Sequence, residues 1–107
     1  MRDQSLSDIA RALGHPVRVR IIRLLAEESE CRGADVFSSL PLAQSTISQH
    51  LRVLRDAGLV ASRPVGTGSV YCLVPSILEE FAREALSLAK SAPACSSVLS
   101  PATATKE

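Results

Sequence analysis

A chain of 107 residues, 46% hydrophobic and 21% charged, has the balance of one small globular domain and no room for a second or for a large active-site enzyme. Two Phe, one Tyr and no Trp leave a core of Leu, Ile, Val and Ala, which suits packed helices better than a β-sandwich. Three cysteines are an odd number and too sparse for a disulfide framework. The net charge of +1 neither requires nor forbids a polyanionic partner, because a DNA binder need be basic on one face only.

The opening residues, MRDQSLSDIARAL, mix charges into the apolar positions and contain no secretory h-region. No run approaches the ~20 apolar residues of a membrane span. The expectation is a cytoplasmic protein with no membrane partner and with reduced thiols. Leu6, Ile9, Ala10 and Leu13 predict a first helix ending at Gly14, and Pro16 opens a second with Val17, Ile21, Leu24 and Leu25 on one side. The polar stretch EESECR ends it. A short third helix is expected after Gly33, carrying Val36, Phe37 and Leu40 and stopped by Pro41.

The clearest element is residues 44–57, QSTISQHLRVLRDA. Ile47, Leu51 and Leu54 form an apolar stripe, and Gly58 is a natural stop. The other face carries Ser45, Thr46, Ser48, Gln49, Arg52 and Arg55. Two alternating runs, residues 59–63 and 69–74, follow as a hairpin around Pro64-Val65-Gly66-Thr67-Gly68. Pro75-Ser76 then begins a last helix with Ile77, Leu78, Phe81, Ala85, Leu88 and Ala89 on its apolar side. This sets the folded domain at residues 1–90. Residues 91–107, rich in Ser, Ala, Pro and Thr, are expected to form a flexible tail.

A helix, a Pro-containing break and a helix faced with Gln, Ser, Thr and Arg have the form of a helix-turn-helix. Gln can pair bidentately with adenine, Ser and Thr reach bases or phosphates, and Arg pairs with guanine or phosphate. The residues at the helix start, Gln44, Ser45, Thr46, Ser48 and Gln49, would enter the major groove, with Arg52 further along. Arg63 and the Thr67-Gly68 tip would lie on the neighbouring backbone. A solvated polar face or a protein-interaction module would use the same residues. Phosphate binding separates these readings, because it alone weakens steeply with salt. No GxxxxGK[ST] or HExxH stretch and no Ser-His-Asp context supports an enzyme.

The stretches ALGHPVRVRIIRLL, SLPLAQSTISQHLRVLRDAGLV and SRPVGTGSVYCLV together resemble the ArsR/SmtB family of winged-helix repressors over residues 6 to about 90. The resemblance implies a mainly α fold with a β-hairpin, in the order α-α-α-α-β-β-α. It also implies a homodimer through the first and last helices, two recognition helices on a pseudo-palindromic operator in double-stranded DNA, and release by an inducer. By the same resemblance, Gln44, Ser45, Thr46, Ser48 and Gln49 face the bases and Arg63 belongs to the wing.

The inducer is the open question. Residues 76–91 contain no His, so the family's zinc-type site on the last helix lacks its nitrogen ligands, and Glu79, Glu80 and Glu84 read as a solvated face. His15 and His50 read as packing or hydrogen-bonded residues. The arsenic-type Cys-x-Cys pair is also missing, because Cys31 has Gly33 where a partner would stand. A subset of the family pairs a Cys at the Cys31 position with one in the second wing strand, where Cys72 falls here. Trivalent arsenic or antimony takes three thiolates, and Cys31, Cys72 and the tail's Cys95 would make up that number. The alternatives are an oxidant or persulfide switch on two of these thiols, or a DNA binder with no sensor. A bond joining Cys31 to Cys72 or to the tail is expected to pull on the DNA-contacting elements.

Overall fold

The computed structural model describes residues 1–93, and its helices converge on Ile21 and Leu54, which are completely buried. Helix α1, Asp3–Leu13, contributes Ile9 and Ala12 to the core, while Ala10 of the expected stripe faces solvent. Helix α2, Pro16–Ala26, has Pro at its start, where the missing amide costs nothing. The Nδ1 of His15 caps it by accepting the Val17 N–H at 3.1 Å. Ile22, not assigned to the core from its spacing, is buried beside Ile21 and Leu25.

The expected third helix is reduced to one 3-10 turn, Ala34–Phe37. Pro41 supplies no amide and disfavours helical geometry at Leu40, so the segment is too short to repay helix nucleation. Phe37 still reaches the core, where only 1% of its surface is exposed, and meets Tyr71 edge-on at 5.8 Å. Helix α3, Gln44–Asp56, buries Ile47, Leu51 and Leu54, the stripe read from the sequence. It ends in a left-handed glycine, with φ of 84° at Gly58. Gly58 N–H bonds the Arg55 carbonyl at 2.9 Å and Leu59 N–H bonds the Leu54 carbonyl at 3.0 Å. That pairing satisfies the last-turn acceptors and turns the chain directly into the sheet.

The sheet has three antiparallel strands rather than the two of a simple hairpin. Strand β1 is Arg32–Gly33, β2 is Val60–Val65 and β3 is Gly68–Leu73, with β3 in the middle. Strand β2 reaches two residues further toward the tip than the alternation suggested and β3 begins one residue earlier, so only Gly66 and Thr67 remain as the turn. Gly66 takes φ of 60° there. Pro64 is tolerated because β2 is an edge strand. Helix α4, Pro75–Ser91, packs Ile77, Leu78 and Phe81 on the core. Its second half leaves the protein surface, and Leu86 and Leu88 are 54% and 60% exposed.

Candidate nucleic-acid interface

Helix α3 presents Gln44, Ser45, Ser48, Gln49 and Arg52 to solvent, with Thr46 half-buried. Its first turn contains no acidic residue, and the N-cap position, Ala43, offers no side-chain acceptor. The Thr46 amide donates to the Ala43 carbonyl at 3.1 Å, which leaves the Gln44 and Ser45 amides open at the positive end of the helix dipole, where a phosphate is favoured. Gln44, Ser45, Ser48, Gln49 and Arg52 share one exposed face of the helix, from which Thr46 is partly withdrawn.

The wing lies beside this face. Arg63, on β2, is exposed and pairs in register with Val70. Arg55, which the sequence marks only as part of a polar face, donates from Nη1 to the Ser62 hydroxyl at 3.2 Å. The bond ties the recognition helix to the wing, and a contact between residues on different elements leaves no periodic signal in the sequence. On the other flank of α3, His50 packs its ring 4.5 Å from that of His15. Burial, then the proximity of His15 and of Arg18, lowers the His50 pKa from its ordinary value. The Arg18 Nε is buried without a hydrogen-bond partner, so this junction between α2 and α3 is already rich in positive potential.

Of the three thiols, the structure brings two together. Cys31 and Cys72 form a disulfide with Cα atoms 4.6 Å apart. Cys31 is exposed and Cys72 half-buried. Cys95 lies outside the described residues. Among the described residues, no group of three or more His, Cys, Asp or Glu is placed to hold a metal ion. The described part therefore offers two soft donors and no third. On α4, Glu84 lies 3.6 Å from the N-terminal ammonium of Met1, a link between the chain start and the last helix.

A recognition helix with open N-terminal amides, a polar reading face and an adjoining β-wing defines a winged helix-turn-helix DNA-binding regulator. Residues 15–62 match the family described as bacterial regulatory protein, arsR family. An HTH-type transcriptional regulator of Methanocaldococcus jannaschii is 35% identical over 77 residues, which span 72% of this chain and 86% of that one. A solved structure described as a possible transcriptional regulator for arsenical resistance is 30% identical, with a TM-score of 0.66, covering 81% of this chain and 98% of that chain. The homodimeric winged helix-turn-helix DNA-binding domain of a possible ArsR-family regulator from Mycobacterium bovis superposes with a TM-score of 0.64 over 82% of each chain. At 23% identity that likeness is one of fold. The chain belongs to the ArsR family of transcriptional regulators.

Proposed function

We propose that this regulator is a repressor that binds a pseudo-palindromic operator as a homodimer and is released when its thiols take trivalent arsenic or antimony. The observation that carries the DNA reading is the exposed face of Gln44, Ser45, Ser48 and Gln49 at an uncapped helix start. Gln49 and Gln44 read base edges, Ser45 and Thr46 with the free amides hold a phosphate, and Arg52 and Arg63 extend along the backbone. Pairing through α1 and α4 is supported by the apolar end of α4, where Leu86 and Leu88 stand in solvent, and by the homodimeric state of the Mycobacterium bovis neighbour. Two-fold symmetry would set the recognition helices one helical turn apart, about 34 Å.

The inducer reading rests on the juxtaposition of Cys31 and Cys72 and on the description of the neighbour linked to arsenical resistance. In the reduced chain these two thiolates, with Cys95 as a third, would form the soft donor set that arsenic and antimony prefer. The test is fluorescence anisotropy of the reduced protein on a duplex from its own promoter, titrated first with salt and then with arsenite. Affinity should fall about 10³-fold or more between 50 and 200 mM salt, and micromolar arsenite should release the duplex. Binding that ignores salt refutes the DNA interface. Salt-sensitive binding that ignores arsenite refutes the metalloid.

A further inference from the structure

Cys31 and Cys72 occupy a particular place in the sheet. The β1–β3 ladder pairs Gly33 with Val70 and Arg32 with Tyr71, so continuing the register by one step sets Cys31 directly opposite Cys72. Their Cα spacing of 4.6 Å is that of an ordinary non-hydrogen-bonded antiparallel pair, about 4.5 Å. A ladder of ordinary spacing thus accommodates the bond. The bond holds a junction that is otherwise slight. Strand β1 has only two residues, fastened from the side by Arg32, which meets Glu28 at 2.7 Å and Asp35 at 2.9 Å.

The bonded residues are 41 positions apart. The 3-10 turn, α3, β2 and most of β3 lie between them, so the covalent loop encloses the whole DNA-reading unit. Cys31 is exposed, Cys72 is half-buried, and both line an open cleft of about 320 Å³ with Glu28, Ser29, Glu30 and Tyr71. A small oxidant can therefore reach Cys31 first, with Cys72 behind it as the resolving thiol.

We infer that Cys31 and Cys72 form a reversible redox latch that, when closed by a hydroperoxide, fixes the reading unit in its DNA-binding geometry. The Cys31 thiolate attacks the peroxide O–O bond, which breaks to give a sulfenic acid on Cys31 and release an alcohol, or water from hydrogen peroxide. The Cys72 sulfur then attacks the Cys31 sulfur, the S–S bond forms and the hydroxyl leaves as water. Two thiols are oxidised by two electrons and the peroxide is reduced by two. A dithiol reductant reverses the reaction by exchange and is itself left as a disulfide. The latch rests on the DNA-binding reading, not on the metalloid reading, and it withdraws two thiolates from any soft-ion inducer while it is closed.

Because the closed bond sits in a ladder of ordinary spacing and removes freedom before binding, the oxidised protein should hold the operator roughly threefold to tenfold more tightly. Linkage makes the effect mutual, so bound operator should shift the thiol–disulfide midpoint by about 15–30 mV toward the disulfide. The experiment uses the full chain carrying Cys95→Ser, reduced with dithiothreitol or treated with hydrogen peroxide. Free thiols are counted and the linked peptides identified by mass spectrometry, and promoter affinity is measured by anisotropy in both states. The expected result is a Cys31–Cys72 peptide, reversed by dithiothreitol, with the tighter binding in the oxidised state. Adding Cys72→Ser must abolish the peroxide response. Should that variant fail to fold, the midpoint of the unsubstituted pair with and without operator gives an independent reading. Equal or weaker binding of the oxidised protein overturns the inference, as does a bond that does not form while operator binding is intact. Failure of both states to bind any promoter duplex refutes the DNA reading itself and the coupling with it, whereas the peptide map still reports on the bond.

Discussion

Arg55 on the recognition helix donates a hydrogen bond to the hydroxyl of Ser62 on the first wing strand, at 3.2 Å. Both groups are near the surface, so the bond adds little to folding, but it ties the recognition helix to the wing. Replacing Ser62 with Ala should change unfolding free energy by no more than about 0.5 kcal/mol. Operator affinity should drop by about 0.5–1 kcal/mol, as read by anisotropy beside a urea titration. A loss of stability with unchanged affinity would assign the bond to folding instead.

Gln49 and Arg63 should separate base reading from backbone contact. Gln49→Ala is expected to cost about 1–3 kcal/mol on the preferred operator and to relax discrimination at one base pair. Arg63→Ala should weaken all sequences alike and lower the salt slope by about 1. Binding to a panel of single-base operator variants at several salt concentrations distinguishes them, and identical profiles would contradict the assignment.

Gly58 tests the exit from the recognition helix. A Cβ there would stand 3.6 Å from Ile77 Cγ1, ordinary contact, so the cost of Gly58→Ala comes from the left-handed backbone and should be about 1–2 kcal/mol. Gly66 is also left-handed, and a Cβ there would meet nothing within 4 Å, so its change to Ala should cost a similar amount. Thermal unfolding of both variants measures this. A much larger loss at Gly58 would point to crowding against α4.

His50 makes stability depend on pH. Burial beside His15 and Arg18 lowers its pKa in the folded chain, so the native state binds a proton less readily than the unfolded state. The contribution is fully present above the unfolded value of about 6.5. It is lost as pH falls through the lowered folded pKa. The melting temperature should therefore decline below about pH 6.5, and His50→Gln should flatten that decline. An unchanged slope in the variant would assign the pH dependence to other groups.

The recognition helix is legible in the sequence because Ile47, Leu51 and Leu54 follow one face and the residues between them are polar, a local pattern that survives folding. Gly58 and Pro75 likewise mark the ends of elements through their own backbone preferences. Strand β1 is not legible. Arg32 and Gly33 have no strand character of their own and are extended because β3 offers them a ladder from across the fold. Ile22 and Ala12 escape a reading by periodicity because which side of a short helix is buried depends on where its neighbours pack, and one turn of apolar residues fits more than one orientation. Of the three thiols, the family resemblance already matches Cys31 with Cys72, but that the two stand directly opposite each other follows only from the register of a two-residue strand.

The bond between Cys31 and Cys72 closes its loop around α3 and the wing and leaves α1, α2 and α4 outside it. The loop marks off residues 32–71 as one covalent cartridge, whose core side chains pack on those of the α1 and α2 holder. Exchanging residues 32–71 for those of a relative, with both cysteines retained, should transplant the operator preference while the holder keeps its own assembly. Specificity in such a protein can change by exchange of one contiguous segment, with the helices outside the loop left as they are.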